Sequence, residues 1–169
     1  MEDGKILYAM VEKTCILRLV GAIVYRISPC FDHFLQKVSE DSSVEKFIVD
    51  LTETCHIDST NLGLLARLHE YSSAKSGQPP MVVSTNDNIN EVLKNIGFAK
   101  MFNLIESLEE CESDFKELPE EECDKKNLSE IMLNAHRELA KLNEANKELF
   151  KDVIKYLEEE TLNNLSFSR

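Results

Sequence analysis

Ser59 is the side chain in this sequence best placed for chemistry. It stands in the polar run Asp58-Ser59-Thr60, between the apolar Ile57 and a helical stripe of Leu62, Leu65, Leu68 and Tyr71. That spacing puts it at or just before a helix N-terminus, where free N–H groups and the positive end of the helix dipole favour a phosphate. A phosphoserine adds about −1.5 to −2 charge at pH 7, enough to alter a binding surface sharply. Thr60 is a weaker alternative acceptor. The pattern alone leaves a second reading open, in which Asp58 or Ser59 does no more than cap the helix.

Other chemistry finds little support. His33, His56, His69 and His136 share no metal-binding spacing, and none pairs with cysteine at zinc-site intervals. Cys55 and His56 are neighbours on an extended segment, so their side chains point to opposite faces. Asp50, Glu53 and Asp58 could form an acidic pocket, although a capped, solvated loop explains them as well. The chain has no P-loop, GxGxxG or GxSxG sequence. No catalytic residue, metal or cofactor is expected, and the chain reads as a non-enzyme.

Charge narrows the partners. The formal net charge is −12 and the isoelectric point is near 4.8, so neither nucleic acid nor an anionic membrane is an expected partner. A basic protein surface fits better. No apolar run approaches the roughly 20 residues of a bilayer span, and the acidic, alternating start MEDGKILYAMVEK is not a signal peptide. The five cysteines are Cys15, Cys30, Cys55, Cys111 and Cys123. They are odd in number and without a CxxC pair, which points to reduced thiols and a cytoplasmic setting.

The elements that position Ser59 follow from periodicity. Lys5–Val11 and Cys15–Val24 read as strands joined by a tight hairpin turn. Ser28 and Pro29 open a helix carrying Phe31, Phe34, Leu35 and Val38, with Ser28 as its cap. Phe47–Leu51 is a buried strand, the helix after Ser59 stops near Gly77, and Met81–Val83 is a further strand. A helix with Ile89, Val92, Leu93 and Ile96 begins at Asn88 and stops at Gly97, and Met101–Ile105 is the last strand. The order β-β-α-β-α-β-α-β predicts an α/β fold: a mixed, mostly parallel central sheet flanked by helices, in a domain of residues 1–105.

Beyond it, residues 106–126 read as a solvated acidic linker. Residues 1–105 carry about −3 and the remainder about −9. From 127 to 160 the spacing turns helical. Leu128, Met132, Ala135, Leu139, Leu142, Asn146, Leu149, Val153 and Tyr156 recur alternately four and three apart. This is a heptad seam on one amphipathic helix, with a flexible tail over 161–169. The seam must be buried against its own domain, a partner or a second copy, in which case Asn146 would set the dimer register.

The segment FIVDLTETCHIDSTNLGLLARL resembles the signature of STAS-domain anti-sigma factor antagonists. In that family a strand ending in Asp-Leu leads to an Asp-Ser-Ser/Thr-Gly-Leu-Gly motif opening a helix. Asp58, Ser59, Thr60, Leu62 and Gly63 match position by position. Leu19-Val20-Gly21 resembles an early Leu-x-Gly landmark, and Asn95-Ile96-Gly97-Phe98 with Phe102 resembles the closing helix-to-strand turn. Asn61 departs from the family, replacing a glycine. The helical tail resembles the extension of pseudomonad-type anti-anti-sigma factors tied to a phosphorelay for motility and biofilm choice.

The resemblance implies a phosphorylation-controlled partner switch acting in transcription regulation. Ser59 is its phosphoacceptor, and Asp58, Ser59, Thr60, Asn61, Leu62 and Gly63 form the partner surface. The unphosphorylated chain would capture an anti-sigma factor or a second signalling protein. A serine kinase would reverse this, and a PP2C-type phosphatase would restore it. The alternative is an assembly subunit that oligomerises through Leu139, Leu142, Asn146, Leu149 and Val153.

Overall fold

The computed structural model describes residues 3–110 and 112–166. Two strands, β1 (Lys5–Val11) and β2 (Thr14–Ile23), pair antiparallel with Val11 opposite Thr14. Only Glu12 and Lys13 separate them, and Glu12 takes φ 53 to turn the chain. Helix α1 (Ser28–Glu40) follows with Pro29 in its first turn. Ser28 does not cap it from outside as expected. It lies inside the helix, and its hydroxyl donates to the Tyr25 carbonyl of a preceding 3-10 turn at 2.6 Å.

Strand β3 (Lys46–Asp50) then runs parallel to the first half of β2. Beyond it comes a strand the sequence reading missed, β4 (Thr54–Ile57), parallel to the far half of β2 across a register shift at Gly21/Ala22. Four residues with His56 and Cys55 exposed show no alternation to read. Helix α2 (Ser59–Ser76) leads to β5 (Met81–Val83), and α3 (Asp87–Ile96) to β6 (Asn103–Ile105). Gly77 and Gly97 close the two helices with φ 68 and 96, as the left-handed C-cap requires.

The sheet runs β6-β5-β3-β2-β1 and ends on a short strand at Lys116–Glu117, with β4 paired to β2 off this path. It is mixed and mostly parallel, as the α/β reading predicts. The outermost member, β7 (Lys116–Glu117), lies in the acidic stretch. It adds to β1 antiparallel through Leu7 and Tyr8, and Leu118 beside it is buried in the core. The expected solvated linker is therefore anchored at this point. Burial of Leu118 and the pairing with β1 outweigh the local charge density, which a sequence average cannot register.

The core lies between the sheet and α1, α2 and α3, with Leu17, Leu19, Phe31, Phe47, Leu64, Leu65, Leu68 and Phe98 fully or almost fully buried. A long C-terminal helix is present, α5 (Glu144–Ser166). The seam expected as one rod from 127 to 160 is divided, because α4 (Lys125–Ala140) precedes it and the chain turns at residues 141–143. Asn143 makes that turn by accepting from the Asn146 backbone N–H at 2.8 Å.

The two helices lie side by side, tied by Arg137 to Glu158 at 2.9 Å and Lys125 to Glu160 at 3.3 Å. Residues 161–166, read as flexible, continue α5. Cys111 and 167–169 lie outside the described residues. No helix among the described residues is long and apolar enough to cross a membrane.

Candidate functional site

Strand β4 delivers the chain to the mouth of α2, where Asp58 adopts an extended conformation (φ −86, ψ 169). Its backbone N–H donates to the Ile23 carbonyl at 3.0 Å, which continues the pairing with β2. Its carboxylate then caps α2, accepting from the Asn61 backbone N–H at 3.0 Å and from Asn61 Nδ2 at 2.9 Å. The choice the sequence left open is resolved for the cap: Asp58 performs it. Ser59 is the first residue of α2 and is half-buried.

The Ser59 hydroxyl is engaged by a residue 77 positions away. Its Oγ lies 2.8 Å from His136 Nε2 on α4. His136 Nδ1 lies 2.6 Å from the Met132 carbonyl oxygen. A carbonyl only accepts, so in the neutral ring the proton sits on Nδ1. Nε2 then presents its lone pair, and the serine hydroxyl donates to it. The imidazole is 4% exposed and sits edge-on to Phe150, with ring centroids 5.6 Å apart.

One turn further along α2, Gly63 meets the backbone of α4. A β-carbon built there would lie 2.2 Å from the Ala135 carbonyl oxygen and 2.8 Å from its Cα. Only glycine permits this approach. Thr60, Asn61 and Leu62 are 2%, 0% and 3% exposed. Of the six residues expected to meet a partner, only Asp58 and Ser59 keep partial access to water. The Asn61 Oδ1 atom is buried without a hydrogen-bond partner.

The seam residues divide in the same way. Leu139 is fully buried, and Leu142 packs against the core. Asn146, 2% exposed, donates through Nδ2 to the Ile96 carbonyl at 2.9 Å and the Leu139 carbonyl at 3.0 Å. It ties α5 to the end of α3 within one chain. Leu149, by contrast, is 70% exposed, and Val153 is half-buried.

The remaining candidates are spread out. Asp50 pairs with Arg18 at 2.9 Å and accepts from the Thr52 hydroxyl at 2.7 Å, apart from the cap made by Asp58. No cluster of three or more His, Cys, Asp or Glu among the described residues could hold a metal ion. Cys15 and Cys30 are buried free thiols, and burial pushes them up to about 12 and about 11. Cys55 is free and exposed, and Cys123 is free and half-buried. The sequence reading set His136 aside for want of metal spacing. Its role depends on a tertiary contact that no local pattern reveals.

The same arrangement of strands and helices occurs in solved structures. An anti-sigma factor antagonist from Mycobacterium paratuberculosis is 21% identical, with TM-score 0.55, over 63% of this chain and 88% of that one. The Bacillus cell fate determinant SpoIIAA in its phosphorylated form is 14% identical, with TM-score 0.52, over 62% and 92%. The unphosphorylated form of SpoIIAA gives the same identity and TM-score over 62% and 90%. At these identities the likeness is one of fold. No curated protein matches the chain significantly. Through its match over residues 6–111, which span β1 to β6 and the Ser59 turn, the chain belongs to the STAS domain family.

Proposed function

We propose that this protein is an anti-sigma factor antagonist, a non-enzymatic switch whose protein partner is chosen by the phosphorylation state of Ser59. With Ser59 free, the chain binds an anti-sigma factor or another signalling protein through the Asp58–Gly63 face. A serine kinase ends that binding, and a PP2C-type phosphatase restores it. The proposed setting is the cytoplasm, where free thiols stay reduced.

The observation that carries this reading is the place of Ser59. It is the half-buried first residue of α2, directly after a sheet strand, in a STAS-family chain. A protein of the same fold has been solved both with and without phosphate. A phosphate here would add charge beside the helix dipole and change the surface without needing a new fold. Intact-mass analysis of protein from its native cells, with the modified residue mapped, tests the site. Pulldown of the anti-sigma factor tests the switch: Ser59→Ala retains it and Ser59→Asp loses it. Equal capture by both variants defeats the proposal.

The assembly reading is less favoured. Oligomerisation through Leu139 and Asn146 would have to break contacts these residues already make within the chain. Light scattering on the full-length protein decides it: a monomer removes the assembly reading.

A further inference from the structure

We propose that the α4–α5 hairpin is an intramolecular lid. Docked, it holds the Ser59–Gly63 face of α2 in cis, and it must leave before that face accepts a protein partner or before Ser59 carries a phosphate. The phosphate half rests on Ser59 being the phosphoacceptor; the occlusion half does not.

Three separate contacts seat the lid. His136 takes the Ser59 hydroxyl at 2.8 Å. The Ala135 backbone lies directly on Gly63. Asn146 fixes α5 to the Ile96 carbonyl at 2.9 Å. Thr60, Asn61, Leu62 and Gly63, the residues that follow Ser59 in the partner motif, are all buried, and Gly63 lies directly under the α4 backbone. A segment packed this closely leaves no space for a second protein on the same residues.

Phosphate and lid exclude each other for a local reason. The His136 ring lies 2.8 Å from the Ser59 Oγ and is held there by the contact of its Nδ1 with the Met132 carbonyl. A phosphate on Oγ would need the volume that this ring occupies. The ring is confined by Phe150. Nor can α4 move closer to α2, because backbone already meets backbone at Gly63. Relief comes from the hairpin lifting away, and residues 119–124, which follow the anchored β7 and Leu118, tether it when it does.

The face also defines what replaces the lid. Its present occupant is a helix that offers a small residue, Ala135, to Gly63 and a hydrogen-bond acceptor, His136, to Ser59. A partner that binds here presents a helix of the same kind and competes with a tethered copy of its own chemistry.

Two arms on the full chain test the lid. In the first, Ser59→Cys is treated with iodoacetamide and labelling at position 59 is mapped by peptide mass. Labelling is slow, and it becomes about tenfold faster or more when Ala135→Glu, or the milder Asn146→Ala, is added while β2 and β3 stay protected from hydrogen exchange. Labelling no faster in either double variant than in Ser59→Cys alone, or loss of sheet protection in both, overturns the lid. In the second arm, Ser59→Glu speeds exchange across 125–140 and Ser59→Ala does so much less. Equal protection in the two overturns the exclusion of phosphate by the docked hairpin. A chain never phosphorylated in cells removes the switch but leaves the first arm standing.

Discussion

Gly63 on α2 and Ala135 on α4 touch backbone to backbone, so closely that a β-carbon on Gly63 would stand 2.2 Å from the Ala135 carbonyl oxygen. The contact joins the centre of the STAS motif to the C-terminal hairpin. It makes one residue answerable both to its family motif and to a tail outside the family match.

Gly63→Ala therefore acts on the hairpin first. The added methyl meets backbone, which cannot rotate away, and overpacking of this kind costs about 1–3 kcal/mol. Urea unfolding should show that loss, and hydrogen exchange should place it in α4 rather than in the sheet. Wild-type stability in the variant would mean that α4 does not sit on Gly63.

Asn146→Leu tests the latch at the other helix. The side chain is buried and donates to two carbonyls, those of Ile96 and Leu139. Removing the donor leaves both without it, at a cost of about 1–3 kcal/mol. A lower melting temperature, with the secondary structure kept by circular dichroism, is the expected result. A more stable variant would show that the asparagine contributes specificity and not stability.

Asp58→Ala removes the cap of α2, with loss of about 0.5–2 kcal/mol. Asn61 loses both of its bonds to that carboxylate in the same step. Denaturant titration of Asp58→Ala beside Asp58→Asn separates the causes, since Asn still caps. Equal losses in the two variants would point to the charge and not to the hydrogen bond.

Alkaline pH should destabilise the protein through Cys15. Burial raises this thiol from its ordinary 9.0 to about 12, so the folded state holds its proton longer than the unfolded chain does. The stabilising contribution is whole below about pH 9 and is lost as pH rises toward 12. Stability measured from pH 8 to 11 should fall more steeply in the wild type than in Cys15→Ala. Parallel slopes would assign the alkaline loss to other groups.

The parts legible in the sequence were those with a local cause. The hairpin of Lys5–Val11, the Pro29 helix, the glycine stops at Gly77 and Gly97, and the Asp58 helix start all follow from periodicity or turn chemistry. Strands β4 and β7 were not legible, because each is short and exists only through pairing with a remote strand. The break between α4 and α5 had a sign that went unread: Asn143, an N-cap residue inside a seam that otherwise kept its heptad spacing. The apolar stripe was visible. Its partner was not, because the pairing of His136 with Ser59 and of Asn146 with Ile96 is decided in three dimensions.

Strand β7 carries a practical consequence. Its two residues cover Leu7 and Tyr8 on the outer side of β1. Any shortened version of the protein that ends before position 116 would bare that margin, and unsatisfied strand margins recruit one another between molecules. Clumping of such a fragment would report stripped backbone amides, not the freeing of a helix elsewhere.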